Sequence, residues 1–525
     1  MRTFILPEQD ASRDTLVKYM EQILFGLHGF LKKHVGITEE VSLKELSRYY
    51  TDTRVAQEPE KKLAEVISGL IEDIAPHAVN VASPYFIGHM TSAIPFFMVH
   101  LKTIVAALNQ NVVKLETSKV VSIVEKQVLA KIHRLIYAMP DDFYETHVQS
   151  VDTALGCFVE DGTLANITAL WVARNQLFPP NEAFAGVGAE GVAAAYKAYG
   201  TERCVVLVSR LGHYSLKKAG GVLGIGSRNI IPIDVDQNNC IDIKHLQATI
   251  AHLKRRATNR ILAIVGIAGT TETGTVDPLR DLARICEDQR VHFHVDAAWG
   301  GPTLLSARYR HLLDGIALAD SVTIDGHKQF YMPMTCGMAY FKDPFGLDTV
   351  SYHANYVNRP GTPDLGIKSI SGSREASSLI LDSALKIMGS RGYALLIEHG
   401  IETAHAFAQE IMKRPAFQLV SPPQLNILTY RFCPPDLQES LRTGDPSQQN
   451  ELNRRINQGN ILIQRREREA GNSFVSRTTL HVPHLASIDI VVLRCVIMNP
   501  LTTIEILNAI LDEQAAIGYD VFAEG

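Results

Sequence analysis

Between residues 203 and 342, five short apolar runs recur, most of them with β-branched residues, separated by stretches of helical periodicity. They are RCVVLVS at 203–209, RILAIVGI at 260–267, VHFHVD at 291–296, SVTID at 321–325 and GMAYFK at 337–342. Near-continuous apolar runs of this kind predict strands covered on both faces. Strands that alternate with helices build a mostly parallel sheet between helical layers, so the fold class is α/β.

The flanks read differently. Residues 1–100 carry two helical patterns, LVKYMEQILFGLHGFLKKH and LAEVISGLIEDIAPHAV, and no strands of their own. Such a segment is expected to lie across another subunit or domain. Beyond residue 381 a long helical pattern precedes QLNILTYRF, TTLHVPH and VVLRCVIM, and TTIEILNAILDEQAAI closes the chain as a helix. At 525 residues the chain is too long for one hydrophobic core. Three parts are expected: a helical segment at 1–100, a large α/β domain at 101–380 and a small α+β domain at 381–525. The Gly/Ala-rich stretch 184–195 reads as a surface insertion.

Composition removes several function classes. A formal net charge of −5 gives no basic footprint for a nucleic acid. No apolar run is long enough to span a membrane, and the start of the chain has no secretory or transit pattern. Seven cysteines, an odd number without a Cys-x-x-Cys pair, fit a reducing compartment, so a cytoplasmic location is expected.

Four segments carry chemistry, three of them at the ends of predicted strands, where an open α/β sheet presents its ligands. Asp325-Gly326-His327-Lys328 follows SVTID. Partial desolvation there is expected to lower the lysine pKa and make its amine a nucleophile for a Schiff base; an isolated lysine would more often be a surface loop residue. In HFHVDAAWGG, strand alternation puts His292, His294 and Asp296 on one side, and the small residues that follow leave room for a flat ligand. The aspartate could hold a ring nitrogen protonated or join the histidines as a metal site, but further metal ligands are lacking and a metal does not account for Lys328.

GTTETG at 269–274 offers small hydroxyl-bearing residues, with a plain strand-to-helix turn as the alternative. Residues 160–167, EDGTLANI, open a helix whose positive end could receive a phosphate at Gly162 and Thr163, or simply be capped. The glycine string at 220–226 lacks the strand and the acidic residue that dinucleotide binding requires.

In this order, the segments resemble the group II pyridoxal-phosphate-dependent decarboxylases, the family of glutamate, aspartate and aromatic amino acid decarboxylases. HVDAAWGG paired with a downstream His-Lys is the most specific feature. GTTETGTVDP, RHLLDGIALADSVTIDGHK and LRCVIMNPLTT add similarity to bacterial aspartate and glutamate decarboxylases. The resemblance implies a fold-type I architecture, the PLP-dependent transferase fold, with a seven-stranded, mostly parallel central sheet, and pyridoxal 5'-phosphate as cofactor. It implies Lys328 as the Schiff-base lysine, Asp296 as partner of the pyridine nitrogen and His213 as the histidine on the ring face. Gly162, Thr163 and His327 would lie at the phosphate, Thr271 and Ala298 around the ring, and Arg494 at the substrate α-carboxylate. Asp161 stands where relatives carry a small neutral residue, and fits beside a phosphate only if it caps the helix or points away.

The reaction so implied is α-decarboxylation, with the cofactor ring as electron sink and a loop tyrosine, Tyr352 or Tyr356, returning a proton to Cα. His89, Thr91 and Asn109 are polar residues placed to face a small acidic substrate: aspartate ahead of glutamate, with cysteine sulfinate as an alternative. The family further implies a homodimer with active sites between subunits. An aminotransferase or lyase of the same fold, a catalytically silent relative and a metal hydrolase are the rival readings.

Overall fold

The computed structural model describes residues 10–31, 35, 43–354, 362, 364 and 365–524. Tyr356 lies outside the described residues. By contact, the chain divides into two compact units, one of residues 1–93, 406–420 and 430–525, the other of residues 94–405 and 421–429.

The second unit is built on a seven-stranded sheet. In chain order its strands are β1 (Gly156–Val159), β2 (Arg203–Ser209), β3 (Ile230–Ile233), β4 (Asn259–Ile267), β5 (His292–Asp296), β6 (Ser321–Asp325) and β7 (Gly337–Phe341). Their order across the sheet is β1-β7-β6-β5-β4-β2-β3. β7 runs antiparallel to both its neighbours, and the pairs β6-β5, β5-β4, β4-β2 and β2-β3 are parallel. The mostly parallel, seven-stranded α/β sheet expected from the sequence is therefore present.

Burial explains the composition of these strands. Every residue of β6 and β7 is buried, as are six of the seven in β2, where only Arg203 faces water. On one side, Val206, Val208, Ala263 and Val265 pack with Leu170 and Leu216 from neighbouring helices. Each fully buried Val or Leu adds about 1.5–3 kcal/mol relative to exposure, so polar substitution within these runs is not tolerated.

The stretch at 184–195, read as a surface insertion, is exposed along much of its length but anchored in the core. Residues Val187–Ala198 form a helix kinked at Gly191, and Phe184, Val187 and Ala195 are buried in the core just described. The Gly/Ala-rich composition of the stretch does not by itself distinguish such a helix from a loop.

The first unit carries β8 (Phe417–Ser421), β9 (Ile427–Phe432), β10 (Ser476–Leu480) and β11 (Ile490–Val496) in the order β10-β11-β9-β8, with a few strand-end residues assigned to the second unit. Helices Pro446–Ala470 and Ile504–Glu524 accompany them. Residues 85–88 pair with this unit as well: Ile87 donates to Phe474 O, Phe474 to Tyr85 O and Val496 to Ile87 O. Among the described residues, no helix is long and apolar enough to cross a membrane.

Candidate active site

Because β1 is parallel to β6 through the antiparallel β7, the C-terminal ends of β1, β2, β4, β5 and β6 share one edge of the sheet. From that edge leave the Gly162 turn, the His213 loop, the 269–274 loop, Asp296 with Ala298, and the 325–328 turn. This is the edge where a parallel sheet receives its ligand.

Helix Gly162–Leu177 begins at the edge, and Asp161 caps it by accepting from Leu164 N at 2.9 Å. The acid is thus spent on its own helix, which satisfies the condition placed on it above. Gly162 has no room for a side chain, because a Cβ would meet Asp325 Oδ2 at 2.7 Å. The helix start and the lysine turn therefore approach to within contact.

Lys328 Nζ lies 2.9 Å from Asp325 Oδ2, and its side chain is 19% exposed. Burial alone depresses its pKa, but Asp325 and Asp296 outweigh burial and the amine is held above its ordinary value. The expected lowering is overturned: Asp325, in the same turn, and Asp296, brought in from β5, favour the charged form of the amine. His327 is fixed by the Cys336 carbonyl, 2.7 Å from Nδ1, and its Nε2 stands 3.8 Å from Asp325 Oδ2.

His213 follows β2. Its Nδ1 accepts from Ser215 N at 3.3 Å, and the ring packs on Tyr214. Burial lowers its pKa, while the charges of Asp296, Lys328, Asp325 and Asp161 all bear on it, so these groups form one cluster.

Asp296 is 6% exposed. Oδ1 accepts from Ala298 N at 3.2 Å and Oδ2 from Asn166 Nδ2 at 2.9 Å. The Asn166 amide also meets His294 Nε2 at 2.9 Å, so both nitrogens of His294 are engaged, Nδ1 by Ser321 Oγ at 2.9 Å. Sequence reading did not single out Asn166. A signal existed: asparagine in a helix interior costs about 0.6 kcal/mol relative to alanine, which calls for a compensating contact.

Thr271 stands at the tip of a loop closed by the hydroxyls of Thr270, Thr273 and Thr275, 2.7–3.1 Å apart. Gly269 is held at φ +98, where a Cβ would strike Trp299. Ala298 is buried beside Asp296. Tyr352 is exposed, its hydroxyl 3.4 Å from Gly188 O.

Arg494, His89 and Thr91 belong to the first unit. Arg494, on β11, donates from Nη1 to Gly88 O at 3.1 Å and to Ser476 Oγ at 3.2 Å. The 85–88 pairing thus sets His89 next in chain to a residue that touches Arg494. Asn109 ends helix Phe96–Leu108 in the left-handed region, φ 45, with its N–H on Val105 O.

An amine, a carboxylate, an imidazole whose pKa burial lowers and the glycine start of a helix together fit what pyridoxal phosphate needs: an attachment point, a partner for the ring nitrogen, a cover for the ring and a phosphate seat. Asp325 Oδ1 adds a buried carboxylate oxygen without a hydrogen bond inside this cluster. Residues 45–433 match the pyridoxal-dependent decarboxylase conserved domain. The chain belongs to that family.

An aspartate 1-decarboxylase of Aliivibrio fischeri is 44% identical over 517 residues, which cover 98% of this chain and 94% of that one. The human acidic amino acid decarboxylase GADL1 is 27% identical over 90% of this chain and 84% of its own. Among solved structures, mouse CSAD superposes with a TM-score of 0.82 at 22% identity, covering 96% of this chain and 99% of that one. The protein is a pyridoxal-phosphate-dependent amino acid decarboxylase.

Proposed function

We propose that the substrate is L-aspartate and the product β-alanine. The observation that carries this reading is the 44% identity, along nearly the whole chain, to a protein named aspartate 1-decarboxylase. The buried guanidinium of Arg494 adds a cation suited to a carboxylate.

Pyridoxal phosphate, when bound, supplies an electron sink for the bond between Cα and the departing carboxylate. The residues around it have separable tasks in this proposal. Lys328 holds the cofactor covalently through its amine, and Asp325, 2.9 Å away, is placed to exchange the proton that the amine must give up. Asp296 keeps a proton on the pyridine nitrogen, which deepens the sink. His213, kept neutral by burial, lies over the ring. Gly162 and Thr163 seat the phosphate at the helix start with His327 beside it, and Thr271 and Ala298 line the ring. Arg494 takes the α-carboxylate, while His89, Thr91 and Asn109 meet the acidic side chain. Tyr352 or Tyr356 returns a proton to Cα.

The assembly in this proposal is a homodimer with active sites between subunits. Helix Phe96–Leu108 leaves Phe96, Val99, Ile104 and Leu108 exposed, as helix Val120–Tyr137 leaves Val120 and Ile123, apolar surface that a second copy would cover. A cytoplasmic setting fits seven free thiols.

Purified protein with added pyridoxal phosphate, offered Asp, Glu, cysteine sulfinate, Tyr, Dopa and Lys separately, tests the reading. Faster release of CO2 and β-alanine from aspartate than of the amine from any other substrate is expected. A different preferred amine, or keto acid without CO2, overturns it.

A further inference from the structure

Asp296 is backed by a file of side chains that the proposed reaction does not use. Its Oδ2 can only accept, so the amide nitrogen of Asn166, 2.9 Å away, must be the group that faces it. The amide oxygen then points at His294 Nε2, also at 2.9 Å, and requires a proton from that ring. Burial pushes the His294 pKa down to about 4, so near neutral pH the ring carries one proton, which resides on Nε2. With the single proton held at Nε2 by the amide oxygen, Nδ1 is left as an acceptor and takes the hydrogen of Ser321 Oγ at 2.9 Å, the Ser321 carbonyl oxygen standing farther off at 3.2 Å. Having given that hydrogen, Ser321 accepts from His292 Nε2 at 2.8 Å.

Each link therefore points the same way, from His292 through Ser321, His294 and Asn166 to the carboxylate. Two side bonds hold the amide in this orientation: Nδ2 reaches Ser215 Oγ at 3.0 Å, and Thr323 Oγ1 donates to Oδ1 at 2.9 Å. Asn166, His294 and Ser321 are at most 1% exposed, so water does not substitute for any member. Reversing the amide would set its oxygen against the carboxylate and its NH2 against a nitrogen that already carries hydrogen. Hydrogen bonds aligned head to tail polarise one another, and here the aligned donors all end on one carboxylate.

We propose that Asn166, His294 and Ser321 are positioning residues, a one-way chain of donors that fixes Asp296 in place and orientation against the ring nitrogen of the cofactor. The proposal rests on the reading of Asp296 as partner of that nitrogen.

The test titrates cofactor-stripped, full-length protein with pyridoxal phosphate and with its analogue bearing CH in place of the ring nitrogen. The ratio of the two dissociation constants reports the ring nitrogen alone. Asn166→Ala is expected to reduce the preference for pyridoxal phosphate by about tenfold, the worth of one charge-assisted hydrogen bond, while the analogue binds within about twofold of the parent. Ser321→Ala, which lets the His294 ring change tautomer, is expected to reduce the preference by about threefold. If Asn166→Ala does not fold, Ser321→Ala decides alone, since it deletes a single hydroxyl. The proposal is overturned if both variants keep the parent ratio while Asp296→Ala loses it, or if Asn166→Ala weakens both ligands equally. Should Asp296→Ala itself keep the parent ratio, the reading of Asp296 fails instead.

Discussion

Asp296 and Arg494 are equally buried, each 6% exposed, yet they are held in different ways. Behind Asp296 stand side chains from a helix and two strands, each with its hydrogen-bonding capacity matched to its neighbour. The contacts of Arg494 include the carbonyl of Gly88 and one serine, and Gly88 is put there by backbone pairing of residues 85–88 with 474 and 496. Backbone pairing accepts many sequences, whereas a matched file of polar side chains accepts few. The lesson is that the surroundings of Asp296 are fixed by side-chain identity. Those of Arg494 are fixed by strand register, which leaves the exposed His89 open to substitution.

The largest effect should come from the amine on the fixed side. Lys328→Ala is expected to lower kcat on the order of 10^4-fold or more, and borohydride reduction with peptide mapping, which should label residue 328 in the parent, should then label nothing. Product formation within tenfold of the parent would remove Lys328 from the reaction.

Arg494→Gln is expected to reduce kcat/KM about 100-fold, chiefly through KM, because one partner of a buried charge pair is lost. The contrast between the two regions breaks if cofactor affinity falls with it. Gly162→Ala should do the reverse, weakening cofactor binding about tenfold with little change in substrate KM, since the added methyl meets Asp325. Equilibrium titration of stripped protein with cofactor distinguishes these outcomes.

A smaller effect should separate the regions by pH. Glu467 is buried and its pKa is raised to about 8 by desolvation; it accepts from Ser473 Oγ at 2.9 Å, one residue before the Phe474 that pairs with 85–87. A carboxyl raised in the folded state binds a proton that the unfolded chain has already released. Its stabilising contribution is complete below the ordinary carboxyl range and is lost as pH rises through about 8. Stability should therefore decline across that window, and KM should climb near pH 8 while cofactor affinity stays level. Glu467→Gln should flatten both profiles, and a KM profile unchanged in that variant would sever the link between Glu467 and the 85–88 pairing.

Much of this architecture is legible along the chain. β2 and β6 coincide with the runs read at 203–209 and 321–325, and β4, β5 and β7 differ by one residue at an end. β3 was hidden because Pro232 interrupts it, which an edge strand tolerates and an interior one does not. β1 has only four residues and begins with Gly156, whose missing Cβ lets β7 approach, so its apolar signal is slight. Lys328, Asp296 and the Gly162 turn stand out as candidates because each sits in a short motif, and His213 through the family resemblance alone. Asn166 was not, since its partners are 49 to 157 residues away in sequence.

Sequence by itself determined the alternation of strand and helix and the stock of reactive groups, because periodicity and short motifs are properties of neighbours in the chain. Tertiary structure alone decided that β7 runs against the rest of the sheet, that Asn166 faces Asp296 and that Asp296 joins Asp325 in raising the lysine amine. Those outcomes turn on distances of a few ångströms between groups far apart in the chain. Electrostatic and hydrogen-bond energies follow separation in space, whatever the separation in sequence.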